Sequence, residues 1–118
     1  MAINKALIEL FGAGATQDIN SFTILKGSLK SNRVPIAFSP LLPLLENTAE
    51  SLFTAFLLKV WETQDTSPDA ELAIFGPDVQ LVSLISDGVP TVYDQFIFSV
   101  RVLGKRPAAN IMPNPNII

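Results

Sequence analysis

The stretch "AELAIFGPDVQLVSLISDGVPTVYDQFIFSVRVLGKR", residues 70–106, decides how the chain is read. β-Branched and aromatic residues dominate it, and Gly76-Pro77 and Asp87-Gly88 divide it into three apolar runs of strand length. Phe96, Phe98, Val100 and Val102 alternate with Gln95, Ile97, Ser99, Arg101 and Leu103. Successive side chains of a strand point to opposite faces, so one face is wholly apolar and the other mixed. A sheet with at least one face in a core follows, with Gln95 to Leu103 as its central strand and Phe98 buried within it.

The flanking segments are read outward from this one. "TQDTSPDAE" (63–71) is polar and acidic and is expected to be a solvated tip. In "NTAESLFTAFLLKVWETQ" (47–64), Ala49, Leu52, Phe53, Phe56, Leu57 and Val60 follow helical spacing, and Asn47 with Glu50 makes a capping-box-like start. The same run also fits a strand buried on both faces, with Leu52, Phe56, Leu58 and Val60 opposed to Phe53, Ala55, Leu57 and Trp61. Helical spacing favours a helix over about 48–63. Further back, "NRVPIAFSPLLPLLEN" (32–47) places Pro35, Pro40 and Pro43 among apolar residues, which bars an inner strand or a helix. It reads as an extended, buried connection. "SFTILKGSL" (21–29) reads as a strand from Phe22 to Leu25, and "NKALIELFGAG" (4–14) as a helical turn or a first strand stopped by Gly12 and Gly14.

These elements predict a mainly β fold. It is a small β-sandwich or barrel-like domain over 1–106, with one possible helix and extended proline-rich arms, the second arm being residues 107–118. That arm, "PAANIMPNPNII", carries Ile111, Met112, Ile117 and Ile118 among Pro107, Pro113 and Pro115, so its apolar residues have no regular element to hold them. They are expected to pack on another chain, together with Leu41, Leu42 and Leu44 of the first arm, the alternative being that the tail folds back over its own sheet.

Composition narrows the function by exclusion. The 118 residues are 48% hydrophobic and only 16% charged, with a mean hydropathy of +0.38. This is more apolar surface than one small core easily hides. Eight basic residues are scattered and the net charge is −3, so no basic stripe exists for nucleic acid. The N-terminus lacks the pattern of a secretory signal, and the longest uncharged run, Val34 to Leu45, is too short to span a bilayer. No membrane role is expected. Without histidine or cysteine, the usual general base, thiolate chemistry and most transition-metal ligands are lost.

The remaining chemical motifs are weak. Tyr93 and Asp94 are sequence neighbours that a strand would send to opposite faces. "GAGATQ" (12–17) has Gln17 where a dinucleotide loop needs its third glycine, and reads as a turn. Asp65, Ser67, Asp69 and Glu71 alternate like the first half of a calcium loop, but Ala70 and Gly76 stand where glycine and a bidentate glutamate are required. No catalytic, cofactor-binding or metal-binding residue is assigned, and no cofactor is expected.

"FGAGATQDINSFTILKGSL" followed by "NTAESLFTAFLLKV", spanning Phe11 to Val60, resembles small β-rich structural proteins of cyanobacterial tailed phages and prophages. The resemblance contains no functional motif and transfers no site residue. It implies a virion component assembled in the host cytoplasm, such as a capsid cement protein or a tail or baseplate part. Three functions therefore stand. One is a non-enzymatic structural subunit that associates with itself and with other structural proteins. Another is a small-ligand module with Trp61, Phe75 and Phe98 lining a cavity, and the third is an enzyme using carboxylate, lysine or hydroxyl groups. The first is favoured; outside a virion the location would be cytoplasmic.

Overall fold

A computed structural model of the chain describes residues 5–104 and 112–117. It is a small domain with two antiparallel two-stranded sheets and one substantial helix, and neither sheet closes. The element order begins with a short helix α1 (Leu7–Phe11), then strands β1 (Thr16–Gln17) and β2 (Phe22–Thr23) and a 3-10 turn at Lys26–Ser28. An extended segment leads to helix α2 (Ala49–Thr63). Strands β3 (Leu72–Ser86) and β4 (Val89–Val102) form one long hairpin, and a last 3-10 turn covers Pro115–Ile117.

The N-terminal part is a base built on α2. Phe11 at the end of α1 stacks on Phe56 with ring centroids 5.5 Å apart, and Thr63 Oγ1 donates to Leu10 O at 2.7 Å. Gly12, at φ +100°, lets the chain leave α1 against Ser28, where any Cβ would lie 2.8 Å from the Ser28 Cβ. β1 and β2 pair only as Thr16 with Thr23 and Gln17 with Phe22, across a turn in which the Asp18 carboxylate accepts from the N–H groups of Asn20 and Ser21. The strand expected to run to Leu25 ends early. Gly14, at φ +84°, bends the partner out of extended conformation, so Ile24 and Leu25 have nothing to pair with.

α2 forms where helical spacing placed it. Its N-cap, however, is Thr48, whose Oγ1 accepts from Ser51 N–H at 3.1 Å. Asn47 instead braces the preceding segment, accepting from Leu44 N–H and donating to Leu42 O. The apolar face of α2 is covered only in part, with Leu52, Phe56 and Leu57 half-buried, and two charged residues join the fully buried positions. Ala55, Lys59, Val60 and Glu62 are buried, whereas Phe53 is exposed. Lys59 and Glu62 are drawn inward by the loop at 30–33, whose backbone groups they bond. Lys59, only 2% exposed, donates to Lys30 O at 3.1 Å. Glu62 accepts from Asn32 N–H at 2.6 Å and from the Ser31 hydroxyl, and Arg33 lies 5.3 Å over the Trp61 ring while bonding Glu62 O.

In the 70–102 region, the Asp87-Gly88 break is a turn but Gly76-Pro77 is not. Asp87 and Gly88 have φ of 51° and 77°, the doubly positive pair that a tight type I′ hairpin requires. Gly76 and Pro77 sit within β3 as a bulge, both opposite Phe98, between the pairs Phe75–Ser99 and Asp78–Ile97. Gly76 is obligatory there, with φ +114° and only 2.7 Å from a built Cβ to Ile97 O. β4 is therefore one arm of a two-stranded ribbon rather than a central strand, and Phe98 is half-buried. The expected solvated tip at 63–71 is in fact partly packed, with Ala70 buried, and the free end of the hairpin is Asp87-Gly88.

The core is correspondingly small. The buried apolar residues are Ala15, Leu29, Ala55, Val60, Ala70, Ala73 and Ile74, four of them alanines. The hairpin sets the long dimension. A strand of fifteen residues spans about 50 Å, matching the longest extent of 51 Å. The radius of gyration is 16.9 Å, against about 13.5 Å for a compact domain of this length.

Candidate interaction surface

Among the described residues, the hairpin beyond its base is an unpartnered surface. Gln64, just after α2, closes the base of β3. Its Nε2 donates to Ile74 O at 2.8 Å and its Oε1 accepts from Ile74 N–H at 2.6 Å, standing in for a third strand at that residue. Arg101 donates to Pro68 O and Ala70 O, and Leu103 N–H bonds Glu71 O at 2.8 Å. Past the bulge, the described residues offer the ribbon no such support.

Directly opposed residues share a face, so the register sorts the side chains. The bulge adds one residue to β3, and this puts even-numbered Leu72 and Ile74 on the same face as odd-numbered Val79, Leu81 and Ile85. Val92, Phe96, Phe98, Val100 and Val102 of β4 lie on that face, together with Ser83, Pro90 and Asp94. The other carries Val82, Leu84, Val89, Tyr93 and Ile97 with Gln80, Gln95 and Thr91. Both faces thus expose large apolar side chains among polar ones, with Leu81 at 74% and Ile85 at 78% exposure on the first and Leu84 at 58% on the second. Tyr93 and Asp94 lie on opposite faces.

The proline-rich segment is the second apolar surface, and here the expected burial is overturned. Val34 is 99% exposed, and Ile36, Leu42, Leu44 and Leu45 are exposed too, while Leu41 and Phe38 are half-buried. The backbone of this arm is nevertheless held. Leu41 N–H bonds Leu29 O, Lys26 Nζ bonds Leu44 O, Ala37 N–H bonds Ser31 Oγ, and Asn47 holds Leu42 and Leu44. Polar groups fix the main chain and leave the side chains facing outward, because the small core has no room for them. Of the C-terminal residues expected to reach a neighbour, Met112 is 72% exposed. Ile117 ends the last 3-10 turn, and Ile111 and Ile118 lie outside the described residues.

Two of the concave features bear on the ligand-module reading. Trp61 and Phe98 meet, with Ala37, Phe38, Leu58, Pro77 and Phe96, around an apolar cleft of about 310 Å³. Phe75, expected beside them, faces a different groove with Gln64 and Arg101. At the loop once likened to a calcium site, the Asp65 carboxylate is taken up by Ser67 N–H and the Ser67 hydroxyl. Among the described residues no three acidic groups converge to hold a metal ion, and no helix is long and apolar enough to cross a membrane. No protein-family model matches the chain, and neither a curated protein nor a solved structure is detectably similar to it.

Proposed function

We propose that this chain is a non-enzymatic structural subunit of a larger assembly, self-associating and contacting other structural proteins. The carrying observation is the β3–β4 hairpin, which exposes apolar side chains on both faces and has only two strands. An isolated two-stranded ribbon is marginal in water, and three or more strands or a packed face are needed to hold it. The accessible surface, 8987 Å², exceeds by roughly 2,700 Å² what a compact monomer of 12.8 kDa presents. The sandwich or barrel that one chain leaves open would then be completed between chains. On the resemblance of Phe11 to Val60, the assembly is a phage virion and the subunit a capsid cement protein or a tail or baseplate part.

The apolar cleft between Trp61 and Phe98 supports a second reading, a small-ligand module, since its volume is at the lower end of ligand pockets. Native mass spectrometry of the purified full chain separates the two. A stable oligomer is expected, and a monomer carrying a small apolar molecule would support the second reading. A bare monomer at micromolar concentration would sink both. The virion assignment is tested by searching purified phage particles for the chain's peptides.

A further inference from the structure

We infer that the outer edge of β3, from Val79 to Ile85, pairs antiparallel with the same edge of a second copy of this chain, joining two hairpins into one four-stranded sheet. The inference rests on the subunit reading above and names its partner and its register. The two-residue turn closes on the Ser86–Val89 pair, and Leu103 N–H bonds Glu71 O at the other end, so both ends give one ladder phase. Odd-numbered residues of β4 bond to β3. The unpaired backbone groups therefore belong to Val79, Leu81, Ser83 and Ile85 on one edge, and to Pro90, Val92, Asp94 and Phe96 on the other.

The two edges are not equivalent. β4 has Pro90, which lacks an N–H, and the charge of Asp94, both devices that blunt a free edge. β3 from Val79 to Ser86 contains no proline, glycine or charge. Self-pairing centred on Val82 sets Leu81 against Ser83 and Val79 against Ile85 of the second copy, and uses every free N–H and C=O of the four residues. Shifting the register by two residues towards the base would oppose Ile85 to Pro77, which cannot donate, and waste bonds. In the centred register Asp78 meets Ser86, so like charges do not face each other. Val79, Leu81 and Ile85 of both copies then share one face with Val92 and Phe96, on which Ser83 and Asp94 are the polar members. The surface required, roughly 800 Å² per partner for a stable dimer, is well within the excess this chain exposes.

Two proline substitutions at one level of the ribbon test the edge. Ser83 and Val92 are direct cross-strand partners whose N–H groups point to opposite edges. Ser83→Pro is expected to weaken self-association at least tenfold in sedimentation equilibrium, and Val92→Pro to leave it within about threefold. Equal effects of the two, or none from Ser83→Pro in a protein that still oligomerises, would overturn the edge while leaving the subunit reading intact. A monomeric wild type would remove that reading itself. Because Ser83→Pro could also disturb the hairpin, cysteine substitution gives an independent check, the chain having no cysteine of its own. Val82→Cys is expected to oxidise with copper phenanthroline to a disulfide-linked dimer, since Val82 faces its own copy. Ser86→Cys, which faces Asp78, is expected to remain monomeric on denaturing gels. Equal cross-linking of both would refute the register.

Discussion

The base and the hairpin of this chain solve the same problem in opposite ways. In the base, the buried side chains of Lys59 and Glu62 of α2 bond backbone groups of the 30–33 loop, and among the described residues most buried apolar side chains are alanine. In the hairpin, a thirteen-pair ladder satisfies the backbone between the strands, yet the large apolar side chains stay in water. The base is thus held by polar contacts between its elements and the hairpin beyond its bulge only by the ladder between its own strands, while both leave large apolar side chains exposed. Buried polar groups must find partners within their own chain because leaving them unpaired is costly. Apolar area is non-directional, and its burial can be supplied by any surface of the right shape.

The largest loss of stability is expected in the base. Glu62→Ala leaves Asn32 N–H and the Ser31 hydroxyl without their charged acceptor, and is expected to cost about 3 kcal/mol in chemical denaturation at fixed protein concentration. A loss under about 1 kcal/mol would mean that water replaces the carboxylate and that the base is not closed. Gln64→Ala removes both bonds to Ile74 and is expected to cost about 2 kcal/mol. Gln64→Glu should fare little better, because a carboxylate keeps the acceptor but has no donor for Ile74 O.

At the junction of the two regions, Phe98→Ala is expected to cost about 1–2 kcal/mol, less than the 3–5 typical of a fully buried phenylalanine. A larger loss would place Phe98 within the base's core. Near the free end, Ile85→Ala should change subunit stability by less than about 0.5 kcal/mol, since the side chain is already mostly in water. The same substitution should shift the association constant measured by sedimentation. An unfolding midpoint that moves while association does not would invert the contrast drawn between the regions.

The smallest effect is expected from acid. The Ser67 hydroxyl, then Ser67 N–H, holds the Asp65 carboxyl below its ordinary value of 3.8, and the N–H groups of Asn20 and Ser21 do the same for Asp18. A depressed folded pKa gives a contribution that is fully present above 3.8 and is lost as pH falls through the lower folded value. Stability on this account is expected to be flat from about pH 7 to 5 and to decline only below about pH 4. A carboxyl titration by NMR with an Asp65 midpoint above 3.8 would contradict the hydrogen-bonded turn.

Local signals in the chain determined much of this. Asp87-Gly88 between apolar runs specified a tight hairpin, because few other residue pairs tolerate two positive φ angles. The spacing of Leu52, Phe56 and Val60 specified α2 as well, although a strand fitted the same residues. The apolar excess and the lack of histidine and cysteine were plain from composition. Other features were settled only in three dimensions. Gly76-Pro77 looked like a strand break and proved a bulge, and that one inserted residue brings Ile74 and Val79 to a common face. Lys59 and Glu62 carry no sequence signal for burial and are buried in the base, since the loop they satisfy lies some thirty residues away. The arm at 34–45 looked buried and is exposed. Turn chemistry and helical spacing are carried by neighbouring residues, so a single sequence displays them. Burial depends on whether enough surface exists elsewhere in the fold to cover a given side chain, and only the packed chain decides that.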